Sequence, residues 1–235
     1  MFDLGLVSYR KMWDLQKAAQ NLLIEQKKKI RDGEKIEHIS NDMLFFVEHP
    51  HVYTLGKSGN SANMLKGISE LADIDAEYIE IDRGGDITYH GPGQIVGYPI
   101  LDLDRYFTDI HKYLRYLEEV VIKTCNDFGI KAERKEGLTG VWVEEEKICA
   151  MGIRCSRWVT MHGFALNVNT DLSYFNHIVP CGIENKSVTS LSKITGQFID
   201  PSNVKDKLTI YFAEVFEADL VEADSDEHKL QISYL

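Results

Sequence analysis

The sequence lacks any apolar run close to the roughly 18 residues that a membrane helix requires, although 44% of its 235 residues are hydrophobic. Together with a charged fraction of 27%, this absence predicts an ordinary globular protein. Residues 1–5 carry neither a basic segment nor an apolar one of the kind that directs secretion or organelle import. We therefore expect a cytoplasmic protein that does not act at a membrane.

Cysteine and positive charge are also scarce. Four cysteines are too few and too irregularly spaced for a disulfide framework, and none forms the Cys-x-x-Cys pair of a zinc or redox site. Acidic residues outnumber basic ones 37 to 26, and the net charge of −11 opposes binding to nucleic acid. His49 and His51 flank Pro50, but two histidines without a third ligand seldom hold a metal. No nucleic acid and no metal is expected.

Hydrophobic spacing predicts three long helices, and runs rich in β-branched and aromatic residues predict the strands. The helices cover residues 9–31, 110–128 with Thr108 as the cap, and 203–216. The strands cover residues 43–48, 52–55, 78–82, 95–101, 141–143, 147–153 and 159–168, the last three forming an antiparallel meander. Strands that are punctuated by separate helices favour an α+β fold with helices on a mixed, mostly antiparallel sheet, in one domain spanning residues 1–235.

The most informative segment is a glycine-rich stretch predicted to be a loop between two strands. Glycine lets backbone N–H groups approach a ligand, so this loop could wrap a carbonyl or an extended acyl chain. It lacks the Gly-Lys-Ser/Thr motif of a phosphate-binding loop, and it lacks the Gly-x-Gly-x-x-Gly turn that opens a helix in dinucleotide-binding proteins. A tight surface connection is the simpler alternative. The candidate binding residues are Arg83, Gly84, Gly85, Asp86, Ile87, Thr88, Tyr89 and His90.

Cys181 lies between Pro180 and Gly182 in a predicted loop, where a thiol can be exposed. A cysteine nucleophile needs a nearby cation or helix N-terminus that favours the thiolate. Because free cysteine is more often a small buried hydrophobic residue, the sequence alone leaves both interpretations open.

Lys147 begins a predicted strand in which Ala150, Met151 and Gly152 leave room for a ligand. The simplest interpretation is an exposed lysine at the end of a hairpin, but a desolvated amine could exchange protons with a thiol. The small-large-small order of Gly163, Phe164 and Ala165 on the next strand could shape an apolar slot, although a plain core strand would have a similar pattern.

Four blocks of the sequence, in order and spacing, resemble lipoyl(octanoyl) transferases. They are residues 83–94, 147–152, 162–167 and 180–182, and the resemblance runs from about residue 44 to residue 191. It implies a fold similar to that of lipoate and biotin protein ligases. Cys149 and Met151 stand where the family usually has alanine and a branched aliphatic residue, which bears on the preferred acyl length.

The resemblance also implies an activity and a set of site residues. The expected reaction takes octanoyl from octanoyl-acyl carrier protein to a lysine of a lipoyl domain, in 2-oxoacid dehydrogenase complexes or the glycine cleavage H protein, without a cofactor. Cys181 corresponds to the cysteine that carries the acyl thioester and Lys147 to the lysine that activates it. Residues 83–90, 150–152 and 163–165 correspond to the substrate-binding segments.

Three other functions remain open on the sequence. An ATP-dependent lipoate-protein ligase of similar fold would form an adenylate and would not need Cys181. A thioesterase would use Cys181 but pass the acyl group to water. A silent binding module would bind a lipoyl domain whether or not Cys181 is present.

Overall fold

The computed structural model describes residues 1–36, 40–179 and 187–223. The predicted nucleophile Cys181 lies outside the described residues, as does most of the acidic stretch that begins at Glu222.

A six-stranded mixed sheet forms the centre of the fold, in the order β1-β2-β6-β9-β8-β7. Its strands are β1 (Phe2–Leu6), β2 (Met43–Glu48), β6 (Gln94–Ile100), β7 (Val141–Val143), β8 (Glu146–Ser156) and β9 (Val159–Asn167). Only the β1–β2 pair is parallel among these described strands, so the sheet is mostly antiparallel, as predicted. A smaller sheet contains β3 (Val52–Leu55), β4 (Glu77–Glu80) and β5 (Ile87–His90), in the order β4-β3-β5.

The central sheet is covered by helices on both faces, which explains the continuous apolar run of β2, buried from Met43 to Val47. Helix α1 (Tyr9–Arg31) packs on one face, where its Met12 and Leu23 meet Phe45. Helices α2 (Ile110–Asp127) and α4 (Pro201–Phe216) cover the other face. Their cluster includes Leu117 and Leu208. A short helix, α3 (Leu191–Thr195), follows the undescribed residues 180–186.

The helix predictions are confirmed in position, with corrections at two starts. Helix α1 has the predicted bounds. The cap of α2 is Asp109 rather than Thr108, because the Asp109 carboxylate accepts a hydrogen bond of 3.0 Å from the amide of Lys112. Helix α4 begins at Pro201, two residues earlier than predicted, because Asp200 caps it and proline suits the first turn.

The strand predictions missed two strands, β1 and β5. Residues 83–94 were expected to form one loop, but the middle of this segment is β5, which pairs with β3 from Val52↔His90 to Leu55↔Ile87. Glycines near both ends of the segment favour a loop, so the sequence pattern did not predict the short strand between them. The strand predicted at residues 78–82 lies at Glu77–Glu80.

No helix among the described residues is long and apolar enough to cross a membrane. The cytoplasmic location remains a prediction.

Candidate active site

A cavity of about 430 Å³ lies over the middle of β8 and β9, where the two strands pair, and beside the loop between β4 and β5. This volume is within the range of small-molecule sites, roughly 300–1,000 Å³. The cavity brings together residues from all three of the predicted segments that the structure describes. Its lining includes Arg83, Gly84, Gly85, Asp86, Ile87, Thr88, His90, Lys147, Ala150, Met151, Gly152, Gly163, Phe164 and Ala165.

A larger cavity of about 710 Å³ lies between β1, β2 and the end of α4. Its lining residues, which include Met1, Asp42 and Leu220, contain none of the predicted site residues. The first cavity is therefore the candidate active site.

The glycines of the site are required by close backbone contacts. A Cβ atom on Gly163 would lie 2.1 Å from the carbonyl oxygen of Gly97, and one on Gly152 would lie 2.7 Å from Nη1 of Arg83. Both distances are far below van der Waals contact, which is about 3.5–4.0 Å between carbon atoms. Gly152 on β8 and Gly163 on β9 thus allow the loop between β4 and β5, and strand β6, to approach closely.

Arg83 holds the shape of the loop as well as lining the cavity. Its buried guanidinium donates to the backbone carbonyls of Gly84 (2.9 Å), Asp86 (2.7 Å) and Thr54 (3.3 Å). The Asp86 carboxylate accepts hydrogen bonds from the amides of Ile87 and Asn60, at 2.7 and 3.2 Å. These bonds fix the path of the loop between β4 and β5.

Tyr89 is the exception among the described binding candidates, because it does not line the cavity. Its hydroxyl lies 2.7 Å from Nδ1 of His51, and its ring packs against Tyr53, Tyr174 and Phe175. Tyr89 belongs to the core of the small sheet. The alternation of side chains along β5 separates it from its neighbours Thr88 and His90, which do face the cavity.

His90 is buried and bonded to a chain of amides. Its Nδ1 lies 2.8 Å from Oε1 of Gln94, whose Nε2 donates to Oδ1 of Asn167 at 2.9 Å. The Nδ2 of Asn167 then donates to the backbone carbonyl of Thr189 at 3.0 Å. Burial lowers the pKa of His90 well below its ordinary value, so the imidazole is neutral near pH 7.

Lys147 also lines the cavity, together with residues 137–139. Its Nζ lies 4.8 Å from the centre of the Trp142 ring, within the distance range of contacts between lysine and an aromatic face. Gly140 is required by the backbone rather than by the lysine, since a Cβ there would lie 2.6 Å from the carbonyl oxygen of Cys149 but at an ordinary contact distance of 3.5 Å from Cε of Lys147. The carboxylate of Glu118, fully buried, accepts a hydrogen bond from the amide of Gly140 at 3.0 Å and so holds this wall.

His162 and Asp82 are site residues that the sequence predictions omitted. His162 lines the cavity and donates from Nε2 to the Asp82 carboxylate at 3.1 Å. Asp82 also accepts bonds from Trp13 and Arg154, which lie on α1 and β8. Burial lowers the pKa of His162, and its Nδ1 has no partner among the described residues. Asp82 directly precedes the block 83–94 and His162 is the first residue of the block 162–167, which is the signal that could have found them.

The histidines near Pro50 have structural partners. His49 is fully buried, with Nδ1 2.7 Å from the carbonyl of Val7 and Nε2 2.8 Å from the Tyr98 hydroxyl. His51 stacks on Tyr174.

The fold and the sequence together place this chain in the class of lipoyl protein ligase catalytic domains. Residues 10–213 match the lipoyl protein ligase A/B catalytic domain, which is most of the chain. The structure is similar to that of lipoate-protein ligase A bound with ATP, with a TM-score of 0.74, 15% identity, and coverage of 99% of this chain and 92% of that one. A putative lipoate protein ligase from Thermoplasma acidophilum gives a TM-score of 0.71 at 16% identity, covering 99% and 91%.

The apo biotin protein ligase of Aquifex aeolicus is more distant, with a TM-score of 0.51 at 13% identity and coverage of 92% of this chain and 68% of that one. At these identities the likenesses show the fold alone. They confirm the predicted α+β fold, similar to lipoate and biotin protein ligases.

Sequence relatives identify the family more narrowly. The chain is 54% identical to the octanoyltransferase of Cytophaga hutchinsonii, over 92% of this chain and 91% of the relative. It is 55% identical to that of Christiangramia forsetii, over 93% and 95%, and 48% identical to that of Bacteroides fragilis, over 88% and 92%. The chain belongs to the octanoyltransferase family and is an acyltransferase, which confirms the resemblance drawn from its four blocks.

Proposed function

We propose that the protein takes octanoyl from octanoyl-acyl carrier protein onto Cys181 and then passes it to a lysine of a lipoyl domain. The observation that carries this proposal is the position of Lys147. This lysine lines the cavity, and its backbone pairs with the residues that directly follow the undescribed segment containing Cys181.

Backbone hydrogen bonds hold the described residues on either side of the segment 180–186. Val179 donates a backbone hydrogen bond of 2.8 Å to Asn63, and Ser187 accepts one of 3.0 Å from the amide of Lys147. Cys181 is two residues from Val179 and six from Ser187 along the chain. This short connection supports the proposal that its thiol acts beside the amine of Lys147.

The other three cysteines are poor nucleophiles, which also supports Cys181. Burial raises the pKa of the Cys125 thiol to about 12 and raises that of Cys149 well above its ordinary value. Burial also raises the pKa of Cys155, which is half-buried on β8. Since the thiolate is the reactive form, none of these three is suited to attack a thioester at neutral pH.

The proposed reaction has two steps. In the first, Lys147 accepts the thiol proton, the Cys181 sulfur attacks the octanoyl carbonyl, and the carrier thiolate leaves and takes that proton from Lys147. In the second, the amine of the acceptor lysine attacks the new thioester, and Lys147 accepts the proton that the nitrogen loses. A carbon–nitrogen bond replaces a carbon–sulfur bond, and Cys181 returns as the thiol. Because the donor is already a thioester, the steps require neither ATP nor a metal.

The acceptors we propose are the lipoyl domains of 2-oxoacid dehydrogenase complexes and the glycine cleavage H protein. The chain's fold supports this class of acceptor, since one solved structure of similar fold is described as a bipartite lipoate protein ligase and its E2 lipoyl domain from Thermoplasma acidophilum. The apolar side chains of Ile87, Met151, Ile153 and Phe164 in the cavity wall suit an alkyl chain better than a nucleotide.

The test is intact-protein mass after mixing with octanoyl-acyl carrier protein, with wild type beside Cys181→Ser and with Cys155→Ser as a matched control. We expect a hydroxylamine-labile octanoyl adduct on wild type and Cys155→Ser, and no thioester adduct on Cys181→Ser. The adduct should move to an added lipoyl domain without ATP. Modification of the lipoyl domain only with ATP and free octanoate would establish a ligase instead, and release of free octanoate a thioesterase.

A further inference from the structure

The amide chain that ends at His90 has a fixed direction. It starts at the backbone carbonyl of Thr189, which can only accept a hydrogen bond, so the atom of Asn167 that faces it is the donor Nδ2, at 3.0 Å. The other side-chain atom of Asn167, Oδ1, must then be the acceptor that faces Gln94. Gln94 donates to it from Nε2 at 2.9 Å and also reaches the carbonyl of Tyr89 at 3.3 Å.

This direction determines which nitrogen of His90 carries the proton. With Nε2 of Gln94 used as a donor, its Oε1 is the atom 2.8 Å from Nδ1 of His90. An amide oxygen can only accept, so Nδ1 carries the hydrogen and Nε2 of the neutral ring carries the lone pair. Gln94 and Asn167 are both buried, at 1% and 3% exposure, so water does not compete for these bonds.

The ring is held in place by its neighbours. It stacks on Tyr9 with the ring centres 5.6 Å apart and meets the His49 ring edge-on at 5.7 Å. The charged or titratable groups that act on it are His49, Arg83 and His162, and each disfavours a positive charge on His90. The ring therefore remains neutral. His90 lines the cavity, and since Gln94 occupies Nδ1, Nε2 is the ring nitrogen available to a bound group.

A lone pair can accept a hydrogen bond but cannot donate one to an acyl carbonyl or an oxyanion. Of the two groups that meet in the second step of the proposed reaction, only the attacking amine has an N–H to offer. The geometry thus matches Nε2 of His90 to the nitrogen and not to the carbonyl.

We infer that Gln94 and Asn167 are positioning residues that hold His90 with its Nε2 lone pair ready to orient the amine of the acceptor lysine. This inference rests on the proposed function and concerns its second step. The acceptor nitrogen donates one N–H to His90, which turns its own lone pair toward the thioester carbon. His90 keeps its protonation state, and the proton that the nitrogen loses goes to Lys147 as before.

The kinetic test separates the two half-reactions. Single-turnover acylation by octanoyl-acyl carrier protein and transfer from isolated octanoyl-enzyme to a lipoyl domain are measured for wild type, Gln94→Met and Gln20→Met. The control removes another buried amide, which donates to the carbonyl of Val159 at 2.9 Å, away from the cavity. We expect Gln94→Met to slow transfer by about tenfold or more while acylation changes less than about threefold, since a misoriented attacking group can cost up to about a hundredfold in rate. Gln20→Met should change both steps to a similar, small extent.

The tautomer is read independently by nitrogen-15 NMR of histidine-labelled protein without substrate, with His90 assigned by comparison with His90→Gln. Wild type should show hydrogen on Nδ1 of His90, and Gln94→Met should show a mixture of tautomers. Hydrogen on Nε2 in wild type would overturn the inference, and so would equal slowing of both half-reactions by Gln94→Met. A wild type that forms no octanoyl-enzyme would instead overturn the proposed function, and with it the role in transfer, while the NMR result would still report the tautomer.

Discussion

The backbone amide of Lys147 donates a hydrogen bond of 3.0 Å to the carbonyl of Ser187. This bond joins the start of β8 to the chain that follows residues 180–186, and a second bond of 3.0 Å, from the amide of Thr189 to the carbonyl of Lys147, continues the pairing. The same stretch supplies the carbonyl of Thr189 on which the His90 amide chain begins. Residues 187–189 therefore contact both Lys147 and the chain of hydrogen bonds that leads to His90.

Lys147→Met should slow acylation of Cys181 by about a hundredfold, the usual effect of losing a proton-transfer group. Lys147→Arg should not restore the rate, because a guanidinium stays protonated. Stopped-flow or quenched mass measurement of acyl-enzyme formation gives the rates. Lys135→Met is the matched control, since Lys135 also lies over the Trp142 ring, at 5.8 Å, but does not line the cavity. Equal loss in both methionine variants would indicate that the ring contact, and not the amine in the cavity, matters.

Met151→Ala should lengthen the preferred acyl chain, because Met151 lines the cavity and its removal enlarges the slot. Each methylene that the cavity can bury is worth about 0.8 kcal/mol, roughly fourfold in relative rate. Competition between hexanoyl, octanoyl and decanoyl donors measures the change. Met43→Ala, in a buried strand position outside this cavity, should lose stability but keep the wild-type profile. An unchanged profile in Met151→Ala would show that this wall does not measure the chain.

Gly163→Ala should destabilise the protein more than Gly97→Ala. The new Cβ at residue 163 would meet a backbone oxygen at 2.1 Å, whereas the one at residue 97 would meet the Phe164 ring at 2.3 Å. A ring can rotate away but a paired strand cannot, so we expect about 1–3 kcal/mol for residue 97 and a larger loss for residue 163. Urea unfolding of both variants tests this order, and the reverse order would contradict it.

Asp82→Asn should lower stability near pH 7, and the difference from wild type should shrink in acid. The hydrogen bond from His162, followed by the charge of Arg154, holds the pKa of Asp82 below its ordinary value. A carboxylate with a lowered pKa contributes stability that is complete above its ordinary pKa of about 3.9 and is lost as the pH falls through the folded-state value.

Denaturant unfolding at about pH 7 and about pH 2 compares stability where the contribution of this carboxyl is complete with stability where it is being lost. Asp14→Asn is the control, because Asp14 forms an ion pair with Lys17 on the surface, with 72% of its side chain exposed. That variant should change stability little at either pH. A pH-independent loss in Asp82→Asn would mean that packing rather than charge accounts for the effect.

The sequence by itself determined the long helices, most of the strands of the central sheet and many of the residues of the cavity wall. Helix α1 and the run of β2 follow from local spacing and from burial on both faces. The binding segments could be predicted because glycine is required wherever strands and loops approach closely, as at Gly152 and Gly163. At these positions the residue type, glycine, itself indicates that another part of the chain lies very close.

Only the tertiary structure decided which side of β5 faces the cavity and which residues affect the site indirectly, through hydrogen bonds to the residues that line it. Tyr89 was predicted among the binding residues, yet the pairing of β5 with β3 turns it into the small core. The roles of Asp82, Gln94 and Asn167 depend on hydrogen bonds to residues far away in the chain. Asp82 bonds to His162, 80 residues away, Gln94 to Asn167, 73 residues away, and Asn167 to Thr189, 22 residues away. Hydrogen bonds between distant residues depend on how strands are paired in space, and no local pattern in the sequence encodes that pairing.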